Sequence, residues 1–383
     1  MNRTHDDGLS VWQALVAARC DEIRQAGRWR RPRPFEASGP RGVLSDEGRA
    51  VVSFASNDYL GFAGHPAVVE AAAEALIRWG AGSGASRLVT GSRPVHHQLE
   101  AELAGHSGCE RAVLFPTGFA ANLGVLTAFG ERDVLVCSDE YNHASIVDGA
   151  RLCRAHVAVY PHGDLDALGK LLADADGPVL VVSDLVFSMD GDVAPVEELA
   201  ALCRRHGALL VLDEAHAVLG PDPAPCLQEI DALRVGTLSK TLGALGGYVA
   251  GPSSFVELIE NRARSYIFTT ALTPPDTAAA LAALRLLKGP EGQVRLSRLR
   301  SHVQRIAPGH QSPIVPVILG DEARALAASD TLLEQGLWVP AIRPPTVPPG
   351  TARLRVTLSA AHSHDDVERL ACALVELASL PGS

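Results

Sequence analysis

The sequence predicts an α/β protein with a mainly parallel central sheet flanked by helices. The first observation is a series of short apolar runs typical of buried strands, at 112–115, 134–137, 157–160, 179–182, 208–212 and 233–237. The second is that helix-like segments lie between most of these runs, near Phe119, Ala144, Leu165 and Val196. Strands and helices that alternate in this way form right-handed crossovers, which make neighbouring strands parallel.

The chain divides into three predicted parts. Residues 1–55 are predicted to form an N-terminal helical arm, because Ser10 can cap an amphipathic helix that ends near Ala26. Residues 56–287 contain the alternating strands and helices and form a large α/β domain. The composition shifts after this point, so we expect residues 288–383 to form a smaller C-terminal α+β domain.

Composition excludes several classes of partner. The 383 residues are 20% charged and 47% hydrophobic, which is typical of a folded globular protein. The net charge of −10 argues against general nucleic-acid binding and against an anionic membrane surface, and no window approaches the roughly eighteen apolar residues of a membrane span. The seven cysteines form no Cys-x-x-Cys pair, which indicates a reduced cytoplasm. We expect no nucleic acid, membrane or metal among its partners.

Two predicted strands lead into residues that suit imine chemistry. The run 208–212 is followed by Asp213 and His216, and the run 233–237 is followed by Lys240. Ligands bind at the carboxyl edge of open α/β sheets. A lysine can form an imine and a carboxylate can keep a ring nitrogen protonated, which are the two requirements of pyridoxal phosphate. Singly, these residues also suit a helix N-cap and a solvated surface lysine.

Other candidate side chains follow neighbouring strands. Gly118 stands at a strand-to-helix turn, where free amides can bind phosphate, and Phe119 can offer its ring to a flat cofactor. His143 can stack on a ring or move protons, and Ser188 can bond ring substituents. Thr237 precedes the lysine and can contact phosphate. The alternatives are an ordinary turn, a capping or core histidine, and a serine that only orders an acidic turn.

These residues belong to motifs that resemble the α-oxoamine synthase family of fold-type I pyridoxal-phosphate enzymes. The resemblance covers nearly all of the chain. Its motifs are Ser56-Asn57-Asp58-Tyr59-Leu60-Gly61, Gly118-Phe119-Ala120-Ala121-Asn122, Phe187-Ser188-Met189-Asp190-Gly191-Asp192 and Asp213-Glu214-Ala215-His216. The run 341–355 is similar to that of the family member that acts in biotin biosynthesis.

The resemblance implies a set of cofactor contacts. Lys240 forms the imine with pyridoxal phosphate, and Asp213 pairs with the pyridine nitrogen. The catalytic residues are Lys240, His143, Asp213 and His216. The remaining cofactor contacts are those that bond or line the ring and the phosphate: Gly118, Phe119, His143, Ser188, His216 and Thr237.

The resemblance also implies the substrate contacts. Arg355 holds the amino-acid carboxylate, His143 touches the substrate and Thr346 lies beside it. Arg30 is the candidate to meet the far carboxylate of a pimeloyl chain. Close alternatives to Arg30 in the same basic cluster are Arg28, Arg31 and Arg33.

The implied activity is a decarboxylative condensation that depends on pyridoxal phosphate. L-Alanine and a pimeloyl thioester, on CoA or on an acyl carrier protein, give 8-amino-7-oxononanoate for biotin biosynthesis. Members of the family are homodimers, which suggests that Thr269 or Thr270 reaches the phosphate in the neighbouring subunit.

Three other functions compete with this interpretation. The first is a sister enzyme that joins glycine or serine to another acyl-CoA, and the second is a non-catalytic partner subunit. The third is a nucleotide-dependent oxidoreductase, which is disfavoured because the glycine-rich loop at 82–87 follows a helix. The chain departs from the family at 217–220, where Ala-Val-Leu-Gly replaces a Gly-Thr-Gly motif. We therefore expect an altered loop near the acyl site.

Overall fold

The computed structural model describes residues 10–379. Its helices, in chain order, are α1 Val11–Gln25, α2 Pro66–Trp79, α3 Pro94–Ser107, α4 Gly118–Phe129, α5 Ala144–Leu152, α6 Leu165–Ala173, α7 Val196–His206, α8 Ala224–Leu227, α9 Ser253–Arg262, α10 Arg264–Ile267, α11 Pro274–Lys288, α12 Pro290–Ile306, α13 Glu322–Glu334 and α14 His364–Ser379. Its strands are β1 Phe35–Ala37, β2 Arg41–Leu44, β3 Arg49–Ser53, β4 Arg111–Phe115, β5 Leu135–Asp139, β6 His156–Tyr160, β7 Val179–Asp184, β8 Leu209–Asp213, β9 Ala232–Thr237, β10 Gly247–Gly251, β11 Ile314–Gly320, β12 Leu337–Trp338, β13 Ala341–Ile342 and β14 Ala352–Thr357.

A seven-stranded sheet forms the centre of the molecule, in the order β4-β10-β9-β8-β7-β5-β6. The five strands from β9 to β6 are parallel, and β10 runs antiparallel to both β4 and β9. The predicted fold class is therefore confirmed. The runs before Asp213 and Lys240 are β8 and β9, which are parallel neighbours with Asp213 opposite Val235.

Apolar side chains bury both faces of this sheet. In β8, Val211 packs into the core cluster on one face, while Leu210 and Leu212 pack into the cluster on the other. In β7 all six residues are buried. Burial on two faces explains why these strands are continuous apolar runs. Burial on both faces also fixes the register of these parallel strands. The residues that follow them therefore meet at the carboxyl edge of the sheet.

Two smaller sheets join distant parts of the chain. One has the order β1-β2-β3-β12, so the segment 35–53 pairs with a strand near the C-terminal end. The other has the order β11-β14-β13. The predicted N-terminal helical arm is thus helical in α1, where Ser10 forms a capping box with Gln13, but its later part forms three strands. The pairing of β3 with β12 is a long-range contact that the local sequence does not encode.

None of the helices within residues 10–379 is long and apolar enough to cross a membrane.

Candidate active site

Three carboxylates lie on adjacent strands at the carboxyl edge of the central sheet. Asp139, Asp184 and Asp213 are the last residues of β5, β7 and β8. Only 3%, 2% and 6% of their respective surfaces are exposed. A buried carboxylate needs a partner that offsets the loss of its hydration. The partners of these three groups therefore define the site, of which the sequence analysis singled out only Asp213.

A histidine pairs with Asp139. The Oδ1 atom of Asp139 lies 2.9 Å from His162 Nδ1, and His162 Nε2 lies 2.8 Å from Asp192 Oδ2. Hydrogen bonds to Asp139 and Asp192 raise the pKa of His162 to about 10. The charged imidazole ties the end of β5 to the turn that carries Ser188.

An amide links Asp213 to His143. Asn122 Nδ2 donates to Asp213 Oδ2 at 2.6 Å and to Ser145 Oγ at 2.9 Å. Ser145 Oγ lies 2.8 Å from His143 Nδ1. The other oxygen of Asp213 accepts the backbone N–H of Ala215 at 2.9 Å. One continuous network therefore fixes the carboxylate and the imidazole relative to each other.

The third carboxylate supports the backbone of the same histidine. The His143 N–H donates to Asp184 Oδ2 at 2.8 Å. Burial lowers the pKa of His143, against the opposing effect of Asp213, and burial together with the charge of Asp213 raises the pKa of Asp184. The His143 ring lies edge-on to Phe119, with 6.5 Å between centroids. A neutral imidazole at this place can lie against a flat ring and move a proton.

The lysine after β9 faces a buried histidine. Lys240 Nζ lies 2.8 Å from His216 Nε2. Burial lowers the pKa of Lys240, although the charges of Asp213 and Asp184 raise it in part. Burial and then the charge of Lys240 lower the pKa of His216 well below its usual range. A lysine with a lowered pKa is more often in the neutral form that condenses with a carbonyl.

A buried guanidinium approaches the same region from β14. Arg355 Nε donates to the Ser188 carbonyl at 2.7 Å, and Nη1 donates to Thr357 Oγ1 at 2.8 Å. Both Nη atoms lie 3.3 Å from Asn57 Oδ1. In the described part of the chain, residues 10–379, none of the hydrogen-bond partners of Arg355 is a carboxylate. A buried cation without a counter-ion is costly, so Arg355 suits an anionic ligand.

Hydroxyl groups and a helix N-terminus form a candidate anion-binding site beside β9. Thr237 Oγ1 lies 2.7 Å from Ser239 Oγ, and Thr117 Oγ1 caps α4 by accepting the Ala120 N–H at 3.0 Å. A Cβ atom on Gly118 would lie 3.2 Å from Thr237 Cβ. The missing side chain therefore lets the start of α4 approach these hydroxyls, where free amides and the helix dipole favour a phosphate.

A cavity of about 490 Å³ lies between this edge and the proline-rich loop. Thr346 lines it together with Tyr141 and Phe187. Arg28 also lines it, whereas Arg30 is exposed and is not among the lining residues. Of the arginines that the sequence offered for the acyl carboxylate, the structure thus brings Arg28 to the cavity that contains Thr346.

The segment that departs from the family motif lies elsewhere. Residues 217–220 line a separate cavity of about 700 Å³, together with side chains of α3 and α11. They do not line the cavity that contains Thr346. An altered loop near the acyl site stays a prediction. The segment forms two tight turns, in which the Ala217 N–H donates to Glu214 O and the Gly220 N–H donates to Ala217 O, both at 3.0 Å.

Sequence reasoning missed several polar residues of this site. Asn122, Asp184 and Ser145 received no role, and Asn57 and Tyr59 were quoted only as parts of a motif. Asn122 carried a usable signal, because it is a polar residue inside the otherwise apolar helix α4 and is only 1% exposed. The contacts of Asp184 depend on strand pairing, for which the sequence holds no local signal.

Comparison with known proteins identifies the family. Residues 49–374 match the family model described as aminotransferase class I and II, which is most of the chain. The chain belongs to the aminotransferase class I and II family. The region shared with this family runs from β3 into α14 and includes every strand-edge residue described above. Arg28 and Arg30 lie outside the matched region.

Individual relatives within this family are more informative. The chain is 49% identical to 8-amino-7-oxononanoate synthase of Burkholderia mallei over 354 residues, which cover 87% of this chain and 90% of the relative. It is similar to serine palmitoyltransferase of S. paucimobilis with a bound PLP–myriocin aldimine, at a TM-score of 0.88, 28% identity and coverage of 97% and 100%. The 8-amino-7-oxononanoate synthase of Francisella tularensis gives a TM-score of 0.71 at 26% identity, with coverage of 85% and 96%. The resemblance drawn from the motifs is confirmed.

Proposed function

We propose that this protein is a pyridoxal-phosphate-dependent acyltransferase of biotin biosynthesis that acts in the cytoplasm. It condenses L-alanine with a pimeloyl thioester, releases carbon dioxide and forms 8-amino-7-oxononanoate. The observation that carries the proposal is the juxtaposition of Lys240, Asp213 and Arg355 in a chain that is 49% identical to an 8-amino-7-oxononanoate synthase over most of its length.

The residues at the strand edge fit pyridoxal phosphate. Asp213 offers a buried carboxylate to a pyridinium N–H, and Asn122 Oδ1 is a buried oxygen without a hydrogen-bond partner in the described part of the chain. Because Gly118 has no Cβ, the start of α4 can lie close to Thr237 at the proposed phosphate-binding site. When bound, the cofactor supplies an electron sink that stabilises negative charge on the α-carbon of an amino acid. We assign its contacts to Gly118, Phe119, His143, Ser188, Asp213, His216, Thr237 and Lys240.

Lys240 is the base in this proposal. Its Nζ atom takes the proton from the α-carbon of alanine, for which its lowered pKa is suitable because more of the amine is unprotonated. His216 Nε2, 2.8 Å away, orients the amine by a hydrogen bond. His143 would hold the ring of the bound cofactor and contact the substrate.

Arg355 binds the carboxylate of alanine. Its hydrogen bonds to Ser188 O at 2.7 Å and to Thr357 Oγ1 at 2.8 Å hold Nε and Nη1, whereas the contacts of both Nη atoms to Asn57 Oδ1 are longer, at 3.3 Å. Those donors can turn to a carboxylate at little cost, because long hydrogen bonds are weak. A planar guanidinium then fixes the amino acid by paired hydrogen bonds.

The pimeloyl chain occupies the cavity of about 490 Å³ that contains Thr346. Its volume lies within the range of small-molecule sites, roughly 300–1,000 Å³. Aromatic side chains of Tyr141 and Phe187 suit the methylene groups, and Arg28 suits the far carboxylate. Among residues 10–379, the carboxylate nearest to the Arg28 guanidinium is that of Glu322, 3.9 Å away, so Arg28 is only weakly engaged there. We therefore favour Arg28 over Arg30 for this role.

The protein forms a homodimer in this proposal. Val89 and Phe268 are 74% and 70% exposed, which is unusual for large apolar side chains. The Ala271 N–H donates to Ala85 O at 3.0 Å, so the two segments that carry them are neighbours. Thr269 and Thr270 lie in the same place and would face the second subunit. Light scattering coupled to gel filtration should give twice the chain mass; a monomer would contradict this part of the proposal.

A sister activity with serine or glycine is the second candidate. It is favoured by the TM-score of 0.88 to a serine palmitoyltransferase, against 0.71 to an 8-amino-7-oxononanoate synthase. Overall fold does not select the amino acid, however, and the 49% sequence identity points to alanine.

Release of carbon dioxide separates these activities. The purified protein is supplied with alanine, glycine or serine, each combined with pimeloyl-CoA, a pimeloyl carrier protein or palmitoyl-CoA. We expect alanine with a pimeloyl donor to give the highest kcat/KM. Preference for serine with palmitoyl-CoA would transfer the assignment to the sister activity, and absence of turnover with every pair would indicate a non-catalytic subunit.

A further inference from the structure

A histidine lies behind two walls of the cavity that contains Thr346. The His162 ring stacks on the ring of Tyr141, with 4.5 Å between centroids and 16° between planes. It meets the ring of Phe187 edge-on, with 4.4 Å between centroids and 84° between planes. Tyr141 and Phe187 line the cavity, whereas His162 is not among the lining residues. His162 therefore acts on a ligand in this cavity through the two rings that it contacts.

Two carboxylates fix the orientation of the His162 ring. Its Nδ1 atom lies 2.9 Å from Asp139 Oδ1 at the end of β5, and its Nε2 atom lies 2.8 Å from Asp192 Oδ2 in the turn after β7. These hydrogen bonds raise the pKa of His162 to about 10, so both ring nitrogens carry a proton at neutral pH and both donate. The ring cannot rotate without the loss of a charged hydrogen bond.

The same two residues hold the backbone of the cavity walls. Asp139 Oδ1 accepts the Tyr141 N–H at 2.8 Å, and Asp139 Oδ2 accepts the Gly163 N–H at 3.0 Å. The Phe187 N–H donates to the Asp192 carbonyl at 3.0 Å. Phe187 is buried, but Tyr141 is 42% exposed. The orientation of the Tyr141 ring therefore depends on its stacking against the imidazolium, which is attracted to the face of an aromatic ring.

We propose that His162 is a positioning residue that holds the Tyr141 ring as a wall of the acyl cavity and thereby sets the preference for acyl-chain length. A fixed wall suits a chain of one length, so a chain that is longer or shorter by one methylene group binds less well. A wall that moves can accept several lengths. The inference rests on the proposed function, because it places the acyl chain beside Tyr141.

His162→Gln tests this role, because it removes the charge and the stacked ring. Calorimetry of the holoenzyme without alanine gives the Kd of adipoyl-CoA, pimeloyl-CoA and suberoyl-CoA. The CoA part is common to the three ligands, so the ratios of Kd report on the acyl chain. We expect His162→Gln to bind pimeloyl-CoA roughly three- to thirtyfold more weakly, from the usual strength of a cation over an aromatic ring, and to lose the preference for pimeloyl-CoA.

His65→Gln is the matched control. His65 also pairs with a carboxylate and meets a phenyl ring: its Nε2 atom lies 3.1 Å from Glu291 Oε1, and its ring lies edge-on to Phe62 at 6.1 Å. His65 is not among the residues that line the acyl cavity. We expect His65→Gln to keep the wild-type affinities and their ratios.

A second substitution shows whether His162 acts through Tyr141. In a Tyr141→Ala background the wall is already absent, so His162→Gln should weaken the binding of pimeloyl-CoA no further. A general loss of structure would instead add to the effect of Tyr141→Ala. Asp192→Asn keeps the imidazole ring and weakens one of its two ion pairs, so it should give a smaller change in the same direction. This variant keeps the test decisive if His162→Gln does not fold.

The inference and the proposed function can fail separately. Equal binding of the three acyl chains by the wild type, wild-type ratios in both His162→Gln and Asp192→Asn, or additive effects of His162→Gln and Tyr141→Ala would overturn the inference. None of these titrations needs turnover. A wild-type preference for pimeloyl-CoA that His162→Gln removes, without product from alanine, would overturn the proposed function alone. If product forms, we expect His162→Gln to raise KM for pimeloyl-CoA and to leave KM for alanine unchanged.

Discussion

The substitution Asn122→Ala tests whether the amide network sets the cofactor carboxylate. It deletes the 2.6 Å hydrogen bond to Asp213 Oδ2 and the 2.9 Å hydrogen bond to Ser145 Oγ. A hydrogen bond to a charged group contributes about 1.5–3 kcal/mol. Since about 1.4 kcal/mol corresponds to tenfold in an equilibrium constant, we expect pyridoxal phosphate to bind roughly ten- to a hundredfold more weakly.

Titration of cofactor-depleted protein with pyridoxal phosphate, followed by visible absorbance, measures this affinity. Thr127→Val is the matched control, because Thr127 lies on the same helix and its hydroxyl donates at 2.6 Å to a backbone carbonyl, that of Leu123. We expect the control to bind the cofactor like the wild type. If Asn122→Ala has the affinity of Thr127→Val, the network has no effect on Asp213 and the reasoning is refuted.

Three further predictions concern the substrates and stability. Arg355→Lys should raise KM for alanine by roughly tenfold or more with little change in KM for the acyl donor, because an ammonium lacks the paired donors; the opposite pattern in steady-state kinetics would contradict this. Arg28→Ala should raise KM for the pimeloyl thioester, and Arg30→Ala should leave it unchanged; equal effects would remove the preference for Arg28. His162→Gln should destabilise the protein most at about pH 6, below the unfolded-state value of about 6.5. The loss should shrink as pH rises through the folded-state pKa of about 10, since a raised pKa stabilises only the protonated state. Urea unfolding at both ends of this range measures it, and a constant difference would show that His162 does not titrate as described.

The central fold could be predicted because its strands are buried on both faces. Runs such as 179–182 and 208–212 are continuous and apolar, and the structure places them in β7 and β8. Pairings between distant segments could not be predicted. β10 runs antiparallel within the sheet, and β3 pairs with β12, which lies more than 280 residues further along the chain. These contacts are selected by tertiary packing and leave no local pattern.

The candidate site could be predicted where a residue follows a strand and bears distinctive chemistry. Asp213 and Lys240 met both conditions, and the structure brings their strands together. Asn122 could not be found in this way, because its partner Asp213 is 91 positions away. The choice between Arg28 and Arg30 also required the structure, since only the path of the chain after α1 decides which side chain reaches the cavity.

The most direct test of the account is to locate the lysine that binds the cofactor. The chain has three lysines, Lys170, Lys240 and Lys288, and the first and last are exposed. Borohydride reduction of the holoenzyme attaches the cofactor permanently to its lysine, and peptide mass spectrometry then identifies the modified position. The account predicts a phosphopyridoxyl group on Lys240 alone, and none on a reduced Lys240→Ala sample. Modification of Lys170 or Lys288, or of no lysine in the wild type, would contradict it.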